Sequence, residues 1–372
     1  MRRRETIHLD HNATTPVAPE VAEAMWPHLT SHFGNPSSTS PEGVRARAAV
    51  ATARERLAAL IGAHTDEIVF TSGGTEANNL AIRGAAAVAS CHTALTSTIE
   101  HPATKAPLAL LRDQAWRVHE LPVDGDSRVR LDTTPAAPVG VGTLVLAHNE
   151  TGAIQPVADF AGHVHAAGGV VHADAAQAVG KIPVSVEDLD VDLLSVAGHK
   201  LYAPKGVGAL YVRRGTTLAP VLRGAGQEGG LRPGTENVAG VVGLGVAADL
   251  AGRLLAAEAE RQTDLRERLW QHLADEVPGL VRVSPAQDCL PNTLMVAVPG
   301  RLGADVLAAT SDIAASTGSA CHAGVHSPST ALLAMGIDHD LALGALRLSL
   351  GRSTTTEDVT EAAGAIVAVL TA

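Results

Sequence analysis

The stretch Val191–Gly206, "VDLLSVAGHKLYAPKG", leaves an apolar run and enters small residues that surround one histidine and two lysines. The chain has four lysines, Lys105, Lys181, Lys200 and Lys205, so half of them fall in this one turn. An apolar run that ends in a turn reads as a strand buried on both faces. The same design recurs along the chain. "EIVF" (Glu67–Phe70) leads into the helix-like "TSGGTEANNLAIRGAAAVA", and "GTLVLAHNETG" (Gly142–Gly152) precedes "VADFAGHVHAAG". "GGVVHADAAQAVG" (Gly168–Gly180) and "GVGALYVRR" (Gly206–Arg214) complete the series. Apolar strands that alternate with helical patterns predict an α/β fold, a mostly parallel sheet covered on both faces.

Outward from that core, 239–274 is helical in pattern, with an Arg/Glu-rich face around "EAERQTDLRERLWQHLADE". Beyond it, "PNTLMVAVPG", "LGADVLAATSD" and "GALRLSLGR" predict a smaller α/β layer. The expected division is a large domain over 1–250 and a small C-terminal domain over 251–372, with roughly the first 15 residues able to pack on the latter.

Aromatic residues make up 2% of the 372 and the net charge is −11, so neither stacking platforms nor a basic stripe for direct nucleic-acid binding is expected. "MRRRE" is followed by "TIHLDHNATTP" rather than by an apolar signal core. The longest apolar stretch, 238–248, is rich in Gly and Ala and ends at Asp249, short of a membrane span. These features predict a cytoplasmic protein with no membrane partner. Cys91, Cys289 and Cys321 are far apart and form no CxxC, so neither a disulfide framework nor a metal site is expected.

In a parallel α/β sheet, ligands sit outside the carboxyl ends of the strands. Polar residues follow those ends at 71–75, 148–150, 174–177 and 199–200. Gly73, Gly74 and Thr75 open a helix and suit an anion, although Thr75 also suits a plain helix cap. Asp174 leaves a buried strand, where it either caps a helix or keeps a ring nitrogen protonated. Lys200, confined at a strand end, is a candidate amine nucleophile, against the reading of a solvated surface charge. A phosphate cradle, a carboxylate for a pyridine nitrogen and an amine for an aldehyde together fit pyridoxal 5′-phosphate. Lys200 is then the aldehyde anchor, His199 lies near the phosphate, and Lys205 after Pro204 serves the turn.

The chain also carries "LDHNATTPV", "FGNPSS", "EHPA", "NETG", "HADAAQAVGK", "RPGTEN" and "STGSACHAG". In order and spacing these resemble the NifS/IscS-class cysteine desulfurases, fold-type I enzymes dependent on pyridoxal phosphate. The resemblance implies that Lys200 holds the cofactor and moves the substrate Cα proton, and that Asp174 pairs with the pyridinium. His101 would stack on the ring and act in proton transfer. Gln177 and Asn149 would bond the ring oxygen and nearby groups, while Gly74, Thr75 and His199 would hold the phosphate. Thr235 would reach the phosphate of a second copy, which implies a homodimer. Arg347 would take the carboxylate of L-cysteine, assisted by Asn35. Cys321 would accept the sulfur as a persulfide and pass it to an acceptor protein, for iron–sulfur clusters, tRNA thiolation or DNA phosphorothioation. A selenocysteine lyase or an aminotransferase on the same fold is the alternative. Two departures stand out. Ala197 replaces the family's usual serine, removing a phosphate donor, and His322 and His326 flank Cys321 where Ser, Thr or Leu is more usual.

Overall fold

A computed structural model describes residues 6–317 and 327–371. Its strands are β1 (Ile7–His8), β2 (Ile68–Thr71), β3 (Thr93–Ser97), β4 (Arg117–Leu121), β5 (Val141–Val145), β6 (Val170–Asp174), β7 (Leu193–Ala197), β8 (Gly208–Val212), β9 (Val281–Arg282), β10 (Thr293–Ala297), β11 (Ile313–Ala314) and β12 (Ala345–Ser349). The helices are α1 (Pro19–Thr30), α2 (Pro41–Ile61), α3 (Gly74–Ala86), α4 (Pro102–Asp113), α5 (Val157–Ala166), α6 (Val238–Glu276), α7 (Gly303–Ala309), α8 (Thr330–Ala334), α9 (His339–Leu343) and α10 (Thr356–Thr371).

Seven strands form the main sheet in the order β2-β8-β7-β6-β5-β3-β4. All its pairings are parallel except those of β8, which runs against both β2 and β7. The connection from β7 to β8 is too short for the crossover that a parallel pair needs, so the chain turns back. That reversal contains His199 and Lys200.

The sheet is buried on both faces because alternate side chains point to opposite sides. Ile68, Phe70, Leu194 and Tyr211 enter one apolar core with α1, α2, α5 and α6. Val69, Leu193 and Leu210 enter another with α3 and α4. A further core joins Leu9, the later part of α6, β10, β12 and α10. β1 pairs with β11 in parallel, and β12-β10-β9 form a separate antiparallel sheet.

The expected boundary after residue 250 falls inside α6, which is continuous for 39 residues. This helix also corrects the expectation of no span-length apolar stretch. By length and composition α6 is long enough to cross a membrane, but 67% of its most apolar window is buried in the protein. Val241, Leu244, Ala247 and Ala248 pack into the core beneath the sheet, and that packing accounts for its composition.

Candidate active site

Five strand ends deliver polar groups to one edge. A cleft of about 380 Å³ opens there, lined by Asn12, Gly74, Thr75, Asn78, His101, Asn149, Asp174, Gln177, Ala197, His199, Lys200 and Arg347. Nine of the residues expected for the site from sequence are therefore brought together: Gly74, Thr75, His101, Asn149, Asp174, Gln177, His199, Lys200 and Arg347. Asn35 does not reach the cleft. It is exposed, and its Oδ1 accepts from the Ser37 backbone N–H at 2.9 Å within a turn. Thr235 is also exposed, on the loop before α6, away from this cleft. Cys321 lies outside the described residues.

Gly73 precedes α3 at φ 150°, a conformation that favours glycine, and among the described residues no side chain caps the helix. The reading of Thr75 as the cap is thus corrected: Gly73 occupies the cap position and Thr75 lies inside the first turn. The free N–H groups of that turn and the helix dipole favour an anion. Ala197 faces them closely, since a Cβ added to Gly74 would stand 3.2 Å from the Ala197 Cβ.

Asp174 is 4% exposed. Its Oδ2 accepts from Asn78 Nδ2 at 2.7 Å and its Oδ1 from the Ala176 N–H at 3.0 Å. The residues after it form turns rather than a helix, so it is not a helix cap. Among the described residues no ion pair neutralises this buried carboxylate, which suits a cationic ring nitrogen.

Lys200 Nζ donates to the backbone oxygens of Asn12 and Ala13, at 2.5 and 2.8 Å. Burial, then the Arg347 charge, lower its pKa to about 8 against the pull of Asp10 and Asp174. An amine so placed gives up its proton far more readily than a solvated lysine. His101 caps α4, its Nδ1 accepting from the Ala103 N–H at 3.1 Å. Burial depresses its pKa, so the ring is neutral at pH 7 with its proton on Nε2. Burial and the nearby Lys200 charge lower His199 to about 4.

Arg347 extends from β12. Its Nη2 meets Asp10 at 2.7 Å, its Nη1 donates to the Asn149 oxygen at 3.2 Å, and among the described residues its buried Nε has no acceptor. The Arg347 backbone pairs with Ser316, whose oxygen accepts from the Arg347 N–H at 2.6 Å. Downstream, the buried Ser329 bears on the Glu150 carboxylate, next to Asn149. The two described ends that flank Cys321 are therefore both fastened at the cleft rim.

Sequence reasoning missed Asn12 and Asn78, which line the cleft, and Lys181, which stands behind them. Asn78 lies four residues after Gly74, one turn along the same helix face, a spacing that marks it. Asn12 has no local signal, because its partners Asn149, Thr293, Asn292 and Ser349 are distant in sequence. Lys181 sits in the quoted "HADAAQAVGK", four residues beyond Gln177.

Uncapped helix N–H groups, an unpaired buried carboxylate and a desolvated lysine match the phosphate, ring nitrogen and aldehyde of pyridoxal phosphate. The aminotransferase class-V family matches residues 7–361. The cysteine desulfurase of Gluconacetobacter diazotrophicus is 44% identical over 361 residues, 95% of this chain and 90% of that protein. A NifS-like protein of known structure superposes with a TM-score of 0.91 at 34% identity, covering 98% of this chain and 99% of its own. The structure of SspA in complex with cysteine superposes with a TM-score of 0.81 at 34% identity, covering 92% and 98%. A family match over nearly the whole chain, a relative at this identity and a cleft with the required chemistry agree: the chain belongs to the class-V aminotransferase family and, within it, to the pyridoxal phosphate-dependent cysteine desulfurases.

Proposed function

We propose that the chain converts L-cysteine to L-alanine and carries the removed sulfur on Cys321 as a persulfide for an acceptor protein. Bound pyridoxal phosphate supplies an aldehyde for the substrate amine and a ring that takes up electrons from the breaking Cα–H bond. The α3 N–H groups at Gly74 and Thr75, with His199, hold the phosphate. Asp174 keeps the ring nitrogen protonated, and Gln177 donates to the ring oxygen. Lys200 would take the proton from the substrate Cα, and neutral His101, which lines the same cleft, would relay protons. Arg347 grips the substrate carboxylate in a two-point contact, with Asn149 beside it.

Cys321 then attacks the substrate sulfur as a thiolate. An S–S bond forms as the Cβ–S bond breaks. The carbon keeps that electron pair and gains a proton, giving the alanine methyl group. The carrying observation is the Ser316–Arg347 backbone pairing. Cys321 is five residues beyond Ser316, a reach of at most about 18 Å. Cys289 is a poor competitor, because burial pushes its thiol up to about 11. Thr235 serves the phosphate of a second copy in a homodimer, from a loop that the Arg232–Glu76 ion pair (3.0 Å) ties to the start of α3.

Mass spectrometry after brief exposure to cysteine tests this reading. The expected result is one added sulfur on Cys321, lost in Cys321→Ser while the cofactor absorbance stays. Added sulfur on Cys91 or Cys289 instead would overturn it.

A further inference from the structure

The chemistry above gives Lys181 no task, yet this lysine stands directly behind the cleft. Its Nζ donates to Asn12 Oδ1 at 2.9 Å and to Gln177 Oε1 at 2.6 Å. Among the described residues no carboxylate pairs with it. Burial and the charges of Lys200 and Arg347 hold its pKa well below the ordinary lysine value. Charged or neutral, the amine retains at least two N–H donors, enough for both contacts.

A carboxamide has one accepting end and one donating end, and its neighbours decide which way round it sits. With Oε1 held by Lys181, the Gln177 Nε2 donates to the Asn12 backbone oxygen at 3.0 Å. Its second N–H is left for the cleft, which Gln177 lines. With Oδ1 held by Lys181 and Asn292, the Asn12 Nδ2 donates to Thr293 Oγ1 at 2.8 Å and to the Asn149 oxygen at 3.2 Å. The Asn12 backbone oxygen is the same atom that receives Lys200. Lys181 thus stands one hydrogen bond behind Gln177 and Asn12, and through Asn12 it reaches the seats of Asn149 and Lys200.

We propose that Lys181 is a positioning residue of the cofactor cleft: by donating to Asn12 Oδ1 and Gln177 Oε1 it fixes both amides, so that Gln177 presents an N–H to the cofactor ring oxygen. The inference rests on the assignment of Gln177 to that ring. It stands or falls separately from sulfur transfer, since cofactor binding precedes any contact with cysteine.

The test compares purified holoenzymes of Lys181→Met, which keeps the apolar stem and removes the donors, and Lys181→Arg, which keeps a donor-only head. Cofactor release in dialysis, visible circular dichroism of the bound cofactor, kcat and KM are measured. Lys181→Met is expected to release cofactor about ten- to a hundredfold faster, the size of one hydrogen bond to a charged group. Its visible dichroism should change and kcat should fall, with KM within about twofold. Lys181→Arg should restore most of each. Gln177→Leu placed on Lys181→Met should add little to the release rate, because both act through one amide. Wild-type release, dichroism and kcat in Lys181→Met overturn the proposal, as does full additivity with Gln177→Leu. Should Lys181→Met fail to fold, Gln177→Glu carries the test. It keeps an acceptor for Lys181 but offers no N–H to the ring, so faster release is expected and wild-type release overturns the proposal.

Discussion

In the groove of about 1020 Å³ between α2, β2 and β8, three of the four arginines are matched to carboxylates, and Arg47 donates to the Pro36 and Ser38 oxygens. Arg54 meets Glu228 at 2.6 Å, Arg213 meets Asp190 at 3.0 Å, and Arg214 meets Asp66 at 2.6 Å. In the cleft of about 380 Å³ at the strand ends, Arg347 is paired with Asp10 at 2.7 Å, but Lys200, Lys181 behind it and Asp174 meet carbonyls, amides and backbone N–H groups. The smaller space is therefore the reactive one. Charges that neutral dipoles hold can change protonation or pair with a ligand directly, whereas a charge in an ion pair must first give up its partner. Two glutamates with buried side chains, Glu228 and Glu100, repeat the contrast. Glu228 is bound by Arg54 and the Phe70 N–H. Among the described residues Glu100 has only the Ser97 hydroxyl at 2.5 Å and the Val145 N–H at 3.1 Å.

The strongest way to break this comparison is to remove an unpaired charge. Lys200→Ala is expected to lower alanine formation from cysteine by at least about 10³-fold, the scale of a lost catalytic amine. It should also leave a cofactor that gel filtration strips from the protein. Lys205 is exposed in the following turn and Lys181 is held by Asn12 and Gln177, so neither substitutes. Near wild-type turnover would show that the unpaired lysine is not the reactive one.

Removing a paired charge should do the reverse. Arg54→Met leaves Glu228 buried without its cation and should cost about 3 kcal/mol of stability, the lower end for a broken buried pair, because Arg54 is 21% exposed. Chemical denaturation measures that loss. Turnover per bound cofactor should stay close to wild type, and a large fall in kcat would join the groove to the chemistry.

What the sequence made legible follows the same division. Thr71–Thr75, Asp174 and His199-Lys200 could be read because each lies just past an apolar run, and a parallel sheet aligns such positions on one edge. Asn12 stood in the quoted "LDHNATTPV", but its contacts span 137 to 337 positions and no local pattern encodes them. Lys181 was in view as part of a motif, but its meaning depends on the amide oxygens it faces. The membrane-length character of α6 was underestimated because its core-facing Gly and Ala residues look weakly apolar one at a time. Asn35 was assigned to the substrate through the resemblance alone, and the turn at Ser37 holds it elsewhere.

Glu100 sharpens the comparison through pH. Burial raises its pKa to about 8 against the Ser97 and Val145 hydrogen bonds. From pH 4.5 to about 8 the unfolded chain has released this proton while the folded chain keeps it, so the contribution to stability falls as pH rises. Glu100→Gln removes that dependence. Its melting temperature should gain on wild type progressively as pH rises across this window. A constant difference across the window would mean that Glu100 is ionised throughout.

The smallest effect concerns a donor that the cleft lacks. Ala197 is 4% exposed and faces the uncapped start of α3, where the phosphate of the cofactor is proposed to sit. A hydroxyl there would add one donor to an anion otherwise held by the α3 N–H groups and His199. Ala197→Ser adds a single oxygen atom, and the 3.2 Å approach measured from Gly74 concerns a Cβ that glycine does not have, so the change is expected to fit. One hydrogen bond to a charged group contributes about 1.5 kcal/mol at the low end of its range, which corresponds to roughly tenfold slower cofactor release in dialysis. Ser195, on the same strand, is fully buried and already bonded to His172 at 2.8 Å, so Ser195→Ala should leave release unchanged and serves as the control. Equal release rates for Ala197→Ser and wild type would mean that the helix N-terminus alone satisfies the phosphate on this side.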